Sequence, residues 1–550
     1  MTLMKDRGEM EKMRLETENG DVEEISEITE FFNGCNVLVT GGSGFVGKLL
    51  VEKLLRACPK LQTIYLLIRL KKGKSPKERF KEHFEDPLYD RLKSEQPDYT
   101  TRVTMIEGSI EDKGLVLAPE TRERLKNTHV VFHAAATVRF DDKLRFAANI
   151  NVRGTRDILL FAREMPNLKA FVHIGTAFSM CVTKFIDEIF YKATIGADDL
   201  LTIVDILDDP TLEYLTPKLI ADWPNTYAFT KTVAEDAVLK HSKGLPVCIV
   251  RPAIMISTAH EPVPGWINNL YGPTGVTIGA GMGLLRTLHC DTNCIADIIP
   301  ADYVINNIIA AAWDIGTRRR MNPSRALSTS QQGESNESSA ELEEEKPPIY
   351  NCVSSCQKPI TWGEYMKYNE IYGMNIPSIS VLWYYFFTLN KLYWVHLIYV
   401  YLFHMIPAVL VDSVLWIIGK KPMLLKIYKK IHKFMHVISY FAMQQWKFRN
   451  DNVLKLWDKL SPVDKELYQF NVSNLEWNKY FWDYIRGLRI FIIKDPLETI
   501  PEGKKRYSRL KALHYTSLTV GGILLLWLVY FLLTTLVSFL LYFCPYFNKQ

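Results

Sequence analysis

Residues Cys35–Leu55 read CNVLVTGGSGFVGKLLVEKLL. The apolar run Val37–Val39 enters a glycine-rich turn and leaves it as a periodic helix pattern. Gly41, Gly44 and Gly47 stand in a G-x-x-G-x-x-G frame. Such glycines let a backbone approach a pyrophosphate, and the helix N-terminus that follows favours its charge. A lone glycine pattern is weak, and its bland reading is a tight turn. Here it follows a strand, opens a helix and begins a sheet, which points to dinucleotide binding. The expected contacts are Thr40, Gly41, Ser43, Gly44, Phe45, Val46 and Gly47.

Further apolar runs follow at TIYLLIR, VTMIEG, VVFHAAA, AFVHIGTA and VCIVRP, with helix-like segments between them. That alternation predicts an α/β fold, a doubly wound parallel sheet covered on both faces. The second strand ends LLIRLKKG, where an NAD-selecting protein usually carries a carboxylate. Arg69, Lys71 and Lys72 stand there instead. Cations suit a 2′-phosphate, Arg69 above all because guanidinium pairs bidentately with phosphate. NADPH is therefore the expected cofactor, against the alternative of a solvated basic loop. Ala134–Ala136 are small enough to let the chain pass close to it, with Ala135 the expected contact. His133 reads as a packed strand-end residue rather than a catalyst.

Asn225–Lys231 reads NTYAFTK, with Tyr227 and Lys231 one helical turn apart. The same Tyr-x-x-x-Lys spacing recurs at Tyr89–Lys93, Tyr214–Lys218 and Tyr507–Lys511, so context must choose. Tyr89 lies in a polar stretch, Tyr214 precedes Pro217, which disfavours a continuous helical turn, and Tyr507 sits in a basic segment. Only Tyr227 opens a helix between the strand bearing Thr176 and the strand VCIVRP. On one helix face the Lys231 ammonium can lower the phenol's pKa and bind a nicotinamide ribose. The phenol then donates a proton beside a hydride acceptor. Thr176, Tyr227 and Lys231 are the expected catalytic residues.

The chain of 550 residues is too long for one ordinary core. Its net charge of +5 does not single out nucleic acid, and none is an expected partner. The 12 Trp, 27 Tyr and 27 Phe crowd the C-terminal half, which points towards lipid. The 9 Cys show no framework, and no His or Cys completes a zinc pattern around Cys290/Cys294 or Cys352/Cys356. No metal is expected. Residues 1–20 lack the apolar core of a signal peptide, so free thiols in a reducing cytosol are expected.

Residues 1–30 are expected to form a disordered arm, 31–316 the nucleotide-binding reductase domain, and 317–348 a disordered insertion rich in Ser, Glu and Gln. Helical patterns dense in aromatics fill 349–510. Tyr515–Phe543 has no charged residue and exceeds the ~20 residues a span needs. Leu392–Val411 is a second apolar run that could span, re-enter or be buried. In the following KKPMLLKIYKKIHKFMHVI, Leu424, Tyr428, Ile431, Met435 and Ile438 line one helix face and Lys426, Lys430 and Lys433 lie off it. That suits an interfacial helix or one packed on its own domain.

The glycine turn, Thr176 and Tyr227/Lys231 resemble the extended short-chain dehydrogenase/reductase pattern, a Rossmann-type fold, and NINVRGT (Asn149–Thr155) fits that group's Asn-bearing helix. FHAAATVRFDDKL, TPKLIADWPNTYAFTK, VRPAIMIS, EPVPGWINN and ADIIPADYVIN look like the fatty acyl-CoA reductases. The resemblance covers about Phe31–Ile315 and resumes from Ile349 to Asp495. Ser109 and Gly175 depart from it, standing where the family usually has Asp and Ser. The resemblance implies reduction of a long-chain fatty acyl-CoA to a primary alcohol with two NADPH, with no acyl-enzyme. The alternatives are another extended reductase, of sterols or sugar nucleotides, and a non-catalytic membrane scaffold. Lys504, Lys505, Arg506, Arg509 and Lys511 precede the tail and only Lys549 follows it. A cytosolic catalytic domain on the endoplasmic reticulum is the expectation, with the peroxisomal membrane as the alternative.

Overall fold

The structure is a computed structural model and describes residues 25–69, 73–321 and 346–547. Lys71 and Lys72, residues 1–24 of the expected arm and residues 322–345 of the expected insertion lie outside the described residues.

Seven parallel strands form the central sheet. They are β1 (Asn36–Thr40), β2 (Thr63–Ile68), β3 (Val103–Glu107), β4 (Val130–His133), β5 (Ala170–Ile174), β6 (Val247–Pro252) and β7 (Ile349–Cys352), in the order β3-β2-β1-β4-β5-β6-β7. Strands β1, β4, β5, β6 and β7 are buried along their whole length. That is why they read as continuous apolar runs rather than as alternating ones. The pleat still sorts their residues. Val37 and Val39 enter one core, and Leu38 enters the other with Val131, Phe171 and Ile249. Helices Phe45–Ala57 and Ala301–Met321 cover the first face, and Gly154–Ala162 sends Ile158, Leu159 and Phe161 into the second. The Rossmann-type doubly wound sheet is thus as expected.

Several expected boundaries move. Strand β7 follows the insertion and pairs with β6, Ile349 opposite Ile249 and Cys352 opposite Pro252. A domain cut between 316 and 349 would therefore split the sheet. Four residues are too short a run to announce a strand whose partner lies so far back in sequence. At the other end, helix Glu27–Phe31 buries Ile28 and Phe31, so the expected arm stops short of residue 30. Asp464 holds this helix, accepting from Ser26 Oγ at 2.5 Å and from the amides of Glu27 and Ile28 at 3.2 and 3.3 Å. A carboxylate satisfies amides that a helix start leaves free. Helix Ala301–Met321 runs past the expected insertion start at Thr317. Helix Asp209–Ile220 continues through Pro217. The amide lost there would have bonded the carbonyl of Glu213, an exposed residue that water can serve.

The C-terminal region is mostly helical. Helix Ile500–Phe547 is one continuous rod of 48 residues, so the basic stretch and the apolar tail are not separate elements. At 1.5 Å per residue it is about 72 Å long. Its apolar part is exposed along its length and is long enough to cross a membrane. A second stretch meeting the length and apolarity test is Tyr393–Ile417. It is helical throughout, with a wider π turn at Tyr401–Met405.

Candidate active site

The chain leaves β1 through Gly41, whose φ is +71°. A Cβ there would lie 2.6 Å from the Ala135 amide nitrogen, and one on Gly47 would lie 2.4 Å from the Gly41 carbonyl oxygen. Both glycines are required by close backbone approach, one towards the end of β4 and one beneath the turn. Helix Phe45–Ala57 starts at Gly44, which brings its free amides to the turn. A cleft of about 390 Å³ opens there, lined by Gly41, Ser43, Gly44, Arg69, Ser109 and Ala134–Ala136. The glycine cradle and the cations beside it fit a dinucleotide, whose pyrophosphate the turn amides would hold.

Of the remaining expected contacts, Thr40, Phe45 and Val46 flank the glycine turn in sequence but are not among the residues that line this cleft. Thr40 is fully buried, its hydroxyl 2.8 Å from His133 Nδ1. Phe45 stacks on Trp266 at 5.5 Å, and Val46 packs against the core. Arg69 pairs with Glu111. Sequence reading missed Arg79, which lines the same cleft. Its Nη2 donates to Ser43 Oγ at 2.8 Å and its Nη1 to the Arg69 carbonyl. Its helix, Pro76–Phe84, begins with a Ser75/Glu78 capping box visible in the sequence, but no periodicity says that Arg79 faces the glycine turn.

Thr176 stands just beyond β5. Tyr227 and Lys231 stand on helix Thr226–His241, whose first turn is fixed by Asn225 accepting from the Ala228 amide at 2.8 Å. The Thr176 hydroxyl lies close enough to the Tyr227 phenol to act on it. Burial pushes the phenol up to about 12, and Thr176 opposes the shift. Burial pulls Lys231 down to about 8, opposed by Glu235. Lys231 Nζ donates to the Ile174 carbonyl at 2.7 Å. The expected lowering of the phenol by this ammonium is not what the structure shows; the leading effect on Tyr227 is desolvation.

Buried polar contacts hold the helix in place. Glu235 pairs with Arg251 at 2.5 Å, and Arg251 also donates to the carbonyls of Asp187 and Ile189. Asn151, inside a π turn at Asn149–Arg153, accepts from the Thr137 amide at 2.9 Å and donates to Thr230 Oγ1 at 3.0 Å. His133 is 1 % exposed and hydrogen-bonded through both ring nitrogens, to Thr40 and Thr155, and burial lowers it to about 3. It is a packed residue. The other tyrosines lie elsewhere: Tyr89 is buried and donates to the Lys48 carbonyl, Tyr214 is 83 % exposed, and Tyr507 packs on Tyr384. At Gly175 a Cβ would meet its neighbours at an ordinary 3.4 Å, so space does not require glycine there. Ser109 Oγ accepts from the Glu111 amide at 3.1 Å.

The C-terminal region closes the other side. The ring of Phe140 lies 5.7 Å from Tyr227 and 5.8 Å from Phe441, at the end of helix Leu424–Ala442. Phe178 meets Phe441 at 5.6 Å and Trp446 at 5.3 Å. Trp446 Nε1 is tied to the Cys181 carbonyl at 2.9 Å, and Lys447–Phe448 pairs with Phe185–Ile186. This aromatic wall, drawn from three separate places in the chain, carried no sequence signal of its own.

Two family models, both described as male sterility protein, match residues 39–308 and 403–495. The chain is 42% identical over 514 residues to fatty acyl-CoA reductase wat of Drosophila melanogaster, covering 93% of this chain and 95% of that one. It is 36% identical to fatty acyl-CoA reductase 1 of Rattus norvegicus and 35% to that of Homo sapiens, covering 92% of this chain and 93% of each relative. Among solved structures, the terminal R domain of the myxalamid PKS-NRPS biosynthetic pathway aligns with a TM-score of 0.49 and 18% identity, over 84% of this chain and 93% of that one. With the glycine cradle, the Thr176–Tyr227–Lys231 cluster and relatives matched almost end to end, the chain belongs to the fatty acyl-CoA reductase family.

Proposed function

We propose that the protein reduces a long-chain fatty acyl-CoA to a primary alcohol with NADPH, at a membrane. The observation that carries this is the Tyr227 phenol beside Thr176, on the helix that also bears Lys231 and with the Phe140 ring of the aromatic wall 5.7 Å away. Bound there, the nicotinamide supplies hydride, which lets the thioester carbon be attacked without a protein nucleophile. Cys181, the thiol behind the wall, is pushed up to about 12 by burial and is unsuited to that role. Tyr227 and Thr176 hydrogen-bond the oxyanion that develops at the carbonyl. Once the CoA thiolate leaves, the aldehyde needs a second hydride, from a second NADPH, and Tyr227 gives its proton to the alkoxide that results. Lys231 holds the cofactor ribose. Arg69 and Arg79 favour a 2′-phosphate, and both apolar helices suit a membrane site, with the reductase domain cytosolic and the endoplasmic reticulum preferred over the peroxisome.

The test incubates membranes carrying the full chain with NADPH or NADH and acyl-CoAs of graded length, and measures alcohols by gas chromatography. Alcohol from long chains, with NADPH preferred, is expected. The variant Tyr227→Phe should lose alcohol formation by about a hundredfold or more while still binding the dinucleotide. Normal turnover by that variant would contradict the mechanism.

A further inference from the structure

We infer that the hairpin made by Tyr393–Ile417 and Leu424–Ala442 is a second membrane-docking element, lying on an anionic bilayer surface without crossing it. By length and apolarity, Tyr393–Ile417 could cross. Three observations set it in the plane of the membrane instead.

The first is what its inner face holds. His404, midway along, accepts from the Arg286 amide at 2.8 Å, and His396 bonds Thr287 at 3.0 Å. Tyr428 on the return helix donates to the Leu284 carbonyl at 3.0 Å. The middle of the stretch is thus fixed to residues 284–287, a part of the chain packed with the catalytic body. A crossing helix would have to carry that polar seam into hydrocarbon.

The second is the turn. Asp412 accepts from the amides of Met423, Leu424 and Leu425 at 2.9–3.0 Å and so caps the return helix from its partner. The pair is locked as a hairpin, and whatever one helix crosses the other must cross back. Leu424–Ala442 carries exposed Lys426, Lys429, Lys430 and Lys433, which hydrocarbon penalises.

The third is what the outside presents. Trp394, Leu410 and Ile418 are exposed, and Trp416 and Ile417 are 74% exposed. From Ser413 to Asn450 the chain has no Asp or Glu, while Lys420 and Lys421 stand at the tip. An apolar face edged by lysines, of which Lys433 lies 3.5 Å from Asp141, matches the headgroup boundary of an anionic bilayer. Docked so, the hairpin's inner face lines a cavity of about 680 Å³ that reaches Pro224, beside the cap of the catalytic helix.

The test uses the full chain reconstituted in sealed vesicles, with Cys294→Ser, Cys356→Ser and Cys544→Ser to remove competing thiols. An environment-sensitive fluorophore at Trp416→Cys should be quenched by dibrominated lipid. In a second chain, Lys421→Cys should react with a membrane-impermeant maleimide added on the reductase side. Quenching should be stronger on phosphatidylserine-containing vesicles than on phosphatidylcholine alone. It should fall by about threefold or more in Lys420→Glu/Lys426→Glu/Lys430→Glu. Labelling at 421 only after the vesicles are permeabilised would mean a crossing and overturn the proposal. No quenching on any vesicle would overturn it too, and leave a protein partner or a second copy as the occupant of the face. Equal quenching on neutral and anionic vesicles would refute the anionic surface. Failure of the reductase reading leaves these readouts untouched, because none of them uses turnover.

Discussion

The two walls of the candidate site are made by opposite means. The cofactor side is built from missing atoms: Gly41, Gly47 and Ala134–Ala136 let backbone approach backbone, within short stretches of chain. The other side is built from large rings, Phe140, Phe178, Phe441 and Trp446, drawn together across some 300 residues of sequence. The first wall should fail when atoms are added, because its neighbours are backbone and cannot yield. The second should change when atoms are removed, because ring packing holds its shape.

Gly41→Val is the severest way to press that contrast. Its Cβ would fall 2.6 Å from the Ala135 nitrogen at a φ of +71°. Dinucleotide binding, followed by fluorescence titration, should be abolished and Tm should drop by several degrees, about 3 kcal/mol. Retained binding would break the claim that this wall is made by omission. Phe441→Ala should act in the opposite way. Some stability goes, about 1–3 kcal/mol for the lost ring contacts, and turnover should shift towards bulkier acyl chains with KM for the dinucleotide unchanged. A rise in that KM would show that the two walls are not separable.

A smaller effect is expected at Arg79→Ala. Losing one of the cations that line the cleft should raise KM for NADPH by about tenfold or more and leave KM for NADH nearly unchanged, since one charge-assisted bond is worth about 1.5–3 kcal/mol. The mildest test is pH. Lys231 holds its proton only up to about 8, whereas an unfolded Lys holds it to about 10.5. If the ammonium serves the reaction, the rate should fall as pH rises through about 8. Between those values the unfolded chain binds the extra proton, so stability should rise with pH over the same window. Rate and Tm moving in opposite directions separate loss of the charge from unfolding.

That contrast also governs what was legible beforehand. Gly41, Ala135 and the Tyr227/Lys231 pair declare themselves because each acts within a few residues of its neighbours, where spacing has a fixed geometric meaning. Arg79 and Phe441 act across the fold, and no local period marks the face on which they emerge. Strand β7 was missed for the same reason: Ile349–Cys352 is a strand only because β6 offers it an edge. Lys231 teaches a different lesson. Helical spacing puts it on the helix of Tyr227, as found, but its bond to the Ile174 carbonyl depends on where β5 ends, which spacing does not contain.

Strand β7 also sets a timetable for making the protein. Pro252 ends β6 and Ile349 begins its partner, 97 positions later. At about 5–20 residues per second, β6 has an open edge for roughly 5–20 s during synthesis. An unpaired parallel edge is a template for association with other chains. Once β7 is in place the new edge is blunted, with the Asn351 amide donating to Glu188 and the Ile349 carbonyl accepting from Asn452. The nucleotide-binding half is thus complete in sequence long before it is safe from aggregation. A nascent chain stalled before residue 349 would present the ribosome's chaperones with a nearly finished sheet that nothing yet closes.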